Sequence, residues 1–457
     1  GADNGPMITQ VYSNIKALND KGYVYPRIIN ANYNQFFDDV ACNWSTSIPT
    51  FKGTIEDWWN FGAASTAYET GINRVNHDKL SSAEFFATVA SMAVPNIRYP
   101  YEALAHAYEN LVLYDEHTWG SPSPAVDEQW RWKRNTAIAS DVASTKVLKD
   151  SMTAISSLIP TKGKTIVVCN NLSWSRSDVV AANQADLPAH FDLIDVDSGK
   201  TVKYQKLNDG TILFAAGNVP GLGYKTFRVT SRSDDPVFQT TVKATDTTLE
   251  NNYFKVTFNS AGHITSILDK QNGNAEMVDS SAPHPLNQYV IYKEGALAGQ
   301  VDSATVATSV GSVMGSITAD GATTGLDSLN RKVILYDSLA RIDIVNDAVK
   351  GQQIANIEIG YFAFPLNVTN YMLRHEMPTG DMRPGITRDI NDQESEQYYT
   401  SSTAFYTVNR WVDVSNRGDW GITFASIQAP LLSYGKPDIG CSKGGWDVNY
   451  NAVKPWI

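Results

Sequence analysis

Two periodicities divide the chain. Up to about residue 160 the apolar positions recur at helical spacing, and from Lys164 onward they recur at every second position. Leu104, Tyr108 and Leu111 fall at i, i+4 and i+7. They predict a helix that starts at Pro100 and stops in Asp115-Glu116-His117, before the Gly/Ser/Pro loop that follows Trp119. Ahead of it, Thr66 and Glu69 have the T-x-x-E spacing of a capping box and open a long helix. Tyr68, Ile72 and Val75 continue one face of that helix, Phe85, Val89 and Met92 a later one, and Pro95 ends it. Ser123-Pro124 places an N-cap before a proline at the first helical position. The helix it opens carries Leu148, Met152, Ile155 and Ile159 and is stopped by Pro160. Three consecutive long helices predict a bundle over residues 51–160.

On either side the pattern differs. Residues 1–50 read as a turn-rich start, a helix to about Asn19, a short strand Arg27–Ala31, and a helix with Phe36, Phe37 and Val40. That order predicts the tail of an α/β domain, and so short a piece cannot cover its own sheet. More of that domain is therefore expected upstream of Gly1. After Lys164, Thr165–Cys169 and Gly223–Val229 read as strands and Asn208-Asp209-Gly210 as a hairpin turn. A small β-sandwich over 161–235 follows from that spacing, closed by the polar link Ser231–Asp235. Residues 236–457 read as a second, larger β-sandwich, truncated at its C-terminus. Phe254, Val256 and Phe258 alternate there, Ser260-Ala261-Gly262 turns the chain, and strands recur through Val333–Tyr336, Ile342–Val345 and Ile357–Phe364. The fold class expected is multidomain α+β.

Composition narrows the function classes. The 457 residues carry a net charge of −11, which argues against nucleic acid or an anionic membrane as the main partner. No apolar run approaches the ~18 residues of a bilayer span. Eleven Trp and 22 Tyr favour carbohydrate surfaces, because flat rings stack on the apolar faces of sugars, and they equally suit β-rich cores. Cys42, Cys169 and Cys441 are scattered and make neither a disulfide framework nor a clustered zinc site. Such low cysteine content fits a bacterial protein of cytoplasm or periplasm and does not choose between them.

The polar cluster Asp115-Glu116-His117 sits where a rigid helix stops. An imidazole beside two carboxylates can ligate a metal or do acid–base work near neutral pH. The same residues also suit a plain helix end with His near the negative pole of the dipole. Trp59 and Trp119 can stack on a sugar or fill a core. Arg74 can contact substrate or pair with Glu69. His77, His106, His190, His263, His284 and His375 show no ligand-like spacing and read as structural or surface residues.

Four stretches in order resemble glycoside hydrolase family 38, the retaining α-mannosidases. They are Phe51–Trp59 with Ser65-Thr66 and Asn73-Arg74; Leu113–Gly120; Asn252–Val256 with Ile267–Lys270; and Arg410–Ser415 with Asp419–Thr423. The resemblance covers the whole chain, while the chain covers only part of the family. It implies the tail of an α/β barrel, a three-helix bundle, a small β-sandwich and a large β super-sandwich of galactose-mutarotase-like form. It further implies cleavage of α-linked mannose in glycans or oligosaccharides, with zinc as cofactor. One carboxylate attacks the anomeric carbon and a second acid protonates the leaving oxygen, the two standing ~5 Å apart.

The family's His-x-Asp zinc ligands and its nucleophilic Asp belong to sequence upstream of Gly1. Within this chain, the resemblance places the remaining zinc ligand at His117, with Asp115 as the alternative. Asp3, in the Gly1–Gly5 turn, becomes the candidate acid/base, and Trp59, Trp119, Glu116 and Arg74 become sugar contacts. This piece alone is expected to be inactive, and homo-oligomers are expected of the large sandwich. The rival reading is a non-catalytic carbohydrate-binding or scaffold protein built from sandwiches and a bundle.

Overall fold

The computed structural model describes residues 8–50, 54–55, 58–117, 126–293, 296–352, 358–378, 380–384, 396, 405–416, 420–434 and 455–456; the side chains at 58–61, 126, 405 and 455–456 lie outside that description. The chain divides into two compact units, residues 1–52 and 53–457. Helices precede strands, and all pairings among the described strands are antiparallel, in seven sheets. This is a mixed α+β fold, as the change of period predicts.

The first unit contains α1 (Thr9–Asn19) and α2 (Tyr33–Trp44), neither of which buries a residue. Asn32 and Gln35 form a full capping box at the start of α2. The strand expected at Arg27–Ala31 is absent. A strand needs a ladder partner, and the described residues provide none. The backbone of Ile28 is satisfied instead by Asn19, whose amide donates to the Ile28 carbonyl at 2.7 Å and accepts its N–H at 3.2 Å.

The second unit opens with a 3-10 helix, Trp58–Thr66, that runs into α3 (Ala67–Ala93); α4 (Tyr101–Asp115) and α5 (Val126–Ser156) follow. The start of α3 lies where the sequence puts it, yet no capping box forms. Thr66 shares its hydroxyl with the Tyr114 phenol at 3.0 Å, and Glu69 is buried beside Arg134 at 3.9 Å. The buried seam contains Leu80, Ala83 and Ala87 of α3 against Leu104, Ala107 and Leu111 of α4, and Val147 of α5. Tyr68 and Met92 of α3, expected on inward faces, are exposed. The inward face of the first half of α3 is polar: Glu69, Thr70, Asn73 and Asn76. Asn76 donates to Ser140 and accepts from Ser144 on α5, while Ser140 donates to the Ala107 carbonyl at 2.7 Å. A buried network of this kind is stable only when its members are satisfied, and here one amide joins three helices.

The expected strands form as Thr165–Asn170 and Gly223–Ser231 and pair with each other, and Gly210 turns the chain between Tyr204–Lys206 and Thr211–Val219 with φ +82°. Their two sheets close on Phe191, Leu193, Phe214 and Phe227. Downstream, Phe254–Phe258 returns as Ile264–Asp269. The largest core cluster draws Val256, Phe258, Ile267, Leu335, Phe364 and Val414 from distant parts of the sequence. No described helix is long and apolar enough to cross a membrane.

Candidate functional site

A cavity of about 660 Å³ opens where α3 and the end of α4 face segments 407–410 and 425–431 of the last strands. Its helical wall includes Thr70, Asn73, Arg74, His77 and Asp115, and Arg410 and Ile427 stand on the other side. Asn73, Arg74 and His77 share one side of α3 because residues three and four apart stack along a helix.

Asp115 is the last residue of α4, at the negative end of the dipole, where a carboxylate is disfavoured. Two groups on α3 compensate. Asn73 donates to Oδ1 at 2.6 Å, and Nε2 of His77 stands 3.1 Å from Oδ2. Asn73 is only 2% exposed, and its own Oδ1 has no partner among the described residues. Each buried polar atom of this sort is worth a donor from a ligand or water. Behind Asp115, Tyr114 bonds Thr70 at 2.8 Å, and burial raises its pKa. Lys133 of α5 is nearly fully buried and donates to the carbonyls of Tyr114 (2.9 Å) and Glu116. Burial lowers its pKa, and the Glu116 carboxylate opposes that shift. An ammonium bonded to the last carbonyls is a C-terminal cap, here supplied by a different helix.

Arg74 does not pair with Glu69. They stand five positions apart, which puts them on different sides of α3. Its guanidinium instead donates to four carbonyls, those of Val408 (3.1 Å), Asn409, Ser426 (3.1 Å) and Ile427 (3.2 Å). Burial lowers its pKa. Nearby, Arg410 bridges Asp78 at 2.6 Å and Glu376 at 2.9 Å, and the bond to Asp78 raises its pKa.

The residues singled out in the sequence are thus distributed. Arg74 and Asp115 line one cavity. Glu116 and His117 are outside its lining; they pair with each other at 2.9 Å on an exposed turn. Asp3 and Trp119 lie outside the described residues, as does the side chain of Trp59 within its 3-10 helix. His77 and Asn73 are the participants that spacing missed. The signal available was their i, i+4 relation on a helix with a polar inward face.

A zinc ion takes three or four nitrogen, oxygen or sulfur donors. Among the described residues no three His, Cys, Asp or Glu side chains stand together in a way that could hold one. Asp115 has one imidazole and one amide as neighbours, so the described residues do not form a zinc site by themselves.

No protein-family model matches the chain, and no curated protein matches it by sequence. Solved structures do match. The chain superposes on the crystal structure of an α-mannosidase from Enterococcus faecalis V583 with a TM-score of 0.68 and 13% identity, over 94% of this chain and 57% of that one. A protein in glycosyl hydrolase family 38 from Enterococcus faecalis gives 0.66 and 12%, over the same shares. The fold is that of family 38 structures, and the chain spans a little over half their length.

Proposed function

We propose that this chain is part of an α-mannosidase that releases α-linked mannose from glycans or oligosaccharides with retention of configuration. The observation that carries this is the shared fold over 94% of the chain with a structure described as an α-mannosidase. In this reading residues 1–50 end a catalytic α/β barrel, 51–160 form the bundle, 161–235 the small sandwich and 236–457 the galactose-mutarotase-like super-sandwich. The nucleophile and most zinc ligands lie outside this chain. His117, or Asp115, supplies one ligand, Asp3 serves as acid/base, and Trp59, Trp119, Glu116 and Arg74 meet the sugar. Zinc, when bound, would orient the sugar hydroxyls. This chain's own residues position the turn: Asn73 and His77 hold the Asp115 side chain while Lys133 holds the carbonyls on both sides of it. Hydroxyl-rich ligands suit the cavity, since Asn73 Oδ1 accepts and the half-exposed His77–Asp115 pair can do both.

The test is hydrolysis of an aryl α-mannoside by the full-length protein, with and without a chelator. Zinc-dependent turnover that falls at least ~100-fold in His117→Ala is expected. Unchanged turnover in that variant removes His117 from the site. Mannose binding without turnover in the full-length protein favours the non-catalytic scaffold.

A further inference from the structure

The strand Leu326–Tyr336 points Leu329, Arg331 and Val333 to the same side, and all three are buried. Arg331 is 1% exposed and is the largest fully buried side chain among the described residues. Its Nη2 donates to the carbonyl of Ala261 at 2.6 Å, while Nε and Nη1 have no partner among the described residues. Its backbone neighbours in the ladder are Ala319 and Asn346, so no carboxylate stands directly across from it.

Two residues beyond Ala261 lies His263, 2% exposed, whose Nε2 is also without a partner among the described residues. The proton on this ring can be placed. Oδ1 of the Asn259 side chain accepts the N–H groups of Ala261 (3.1 Å) and His263 (3.0 Å), which fixes the orientation of that amide. Its Nδ2 therefore faces His263 Nδ1, at 3.4 Å, and donates to it. Nδ1 is the acceptor, and Nε2 carries the hydrogen.

Gly262 makes this approach feasible. Its φ is +73°, and a Cβ there would stand 2.3 Å from the Ala319 Cβ and 3.7 Å from Arg331 Nη2. Among the described residues, the unsatisfied side-chain atoms of Arg331 (Nε and Nη1) and of His263 (Nε2) are all donors. Burial brings the Arg331 pKa down to about 10, with no carboxylate among the described residues opposing, so the side chain is a cation at neutral pH. The positive charge of Arg331 and the nearby His284 add to burial in depressing His263, to about 3. His284 Nδ1 is bound to Gln288 at 2.8 Å.

An uncompensated buried cation is among the costliest features a core can contain. A water molecule would satisfy the hydrogens and leave the charge. A divalent oxyanion would exceed the one charge available.

We propose that Arg331 and the Nε2–H of His263 hold a small monovalent anion of the halide class inside the large β region, as a structural counter-ion. The ion ties the loop 259–263 to the strand Leu326–Tyr336.

Two measurements on the full chain test this together. Chloride is exchanged for gluconate at constant ionic strength while the melting temperature is followed, and bromide-soaked crystals are examined for an anomalous peak. The expected results are a saturable rise of roughly 2–5 °C with chloride or bromide and a bromide peak within hydrogen-bond distance of Arg331. Arg331→Met should abolish the halide dependence. Equal melting in chloride and gluconate overturns the proposal, whether or not a bromide peak appears, since a peak alone marks binding at crystal concentration only. Halide-dependent melting without a peak at Arg331, or one unchanged in Arg331→Met, places the effect elsewhere and also overturns it. Should Arg331→Met fail to fold, the wild-type melting series and bromide map decide between these outcomes.

Discussion

His77 and Asp115 are 38 residues apart in sequence and meet with Nε2 3.1 Å from Oδ2, joining the middle of α3 to the last residue of α4. The contact sits at the rim of the cavity, and the two partners of Asp115 differ in burial. Asn73 is enclosed and His77 is half exposed.

That difference predicts unequal costs. Asp115→Ala removes the acceptor of the Asn73 amide, whose oxygen is already unsatisfied, and should cost about 1–3 kcal/mol. His77→Ala breaks only a half-exposed pair and should cost less than about 1 kcal/mol. Urea midpoints of the two variants give the comparison. Equal losses would mean that Asn73 does not depend on Asp115.

Arg74 is expected to resist conservative replacement. A lysine has a point charge in place of a planar fork and cannot serve four carbonyls on two segments. Arg74→Lys and Arg74→Met should therefore both lose roughly 2–3 kcal/mol and differ little from each other. A lysine variant as stable as the parent in urea would refute the fork argument.

Lys133→Met keeps the buried stem and deletes the cap on α4. We expect a loss of about 1–2 kcal/mol. Faster hydrogen exchange should appear at the amides of residues 114–117, with α1 and α2 unaffected. Exchange at 114–117 that matches the parent would show that the turn is held by other contacts.

Alongside His263, depressed to about 3, acid sensitivity should trace to His375. It is fully buried, bonds Tyr434 at 3.0 Å, packs edge-on against Tyr406, and has no partner for Nε2 among the described residues. Burial depresses its pKa to about 4, with Asp381 opposing weakly. The unfolded chain takes up this proton near pH 6.5 and the folded one near 4, so the unfolded state binds more protons in between. Stability is full above about pH 6.5 and falls as the pH drops towards 4, by up to about 3 kcal/mol from this group. In His375→Phe, the slope of stability against pH over that window should flatten. An unchanged slope would assign the sensitivity to other groups.

Much was legible in the sequence because burial and period coincide over long stretches. The change of repeat at Lys164 marks the switch from helix to sheet, and the prolines and Thr66 fall at helix ends. Errors arose where inward faces are polar. On α3 the apolar period pointed to Tyr68 and Met92, while the buried positions include Glu69, Asn73 and Asn76, each paired or hydrogen-bonded to a residue on another helix. Arg331 likewise occupies an inward strand position that composition would assign to solvent.

The sequence by itself determined the order of helices and strands, because the spacing of apolar side chains is a local property of the backbone. It also marked the end of α4 as the place where charged groups gather. Only the tertiary structure decided which groups meet there. It turned Asp115 towards His77 and Asn73, left Glu116 and His117 paired on an exposed turn, and committed Arg74 to carbonyls more than 330 residues away. The physical reason is that polar groups choose partners by desolvation and hydrogen-bond geometry between distant segments, and neither is encoded in spacing along one segment.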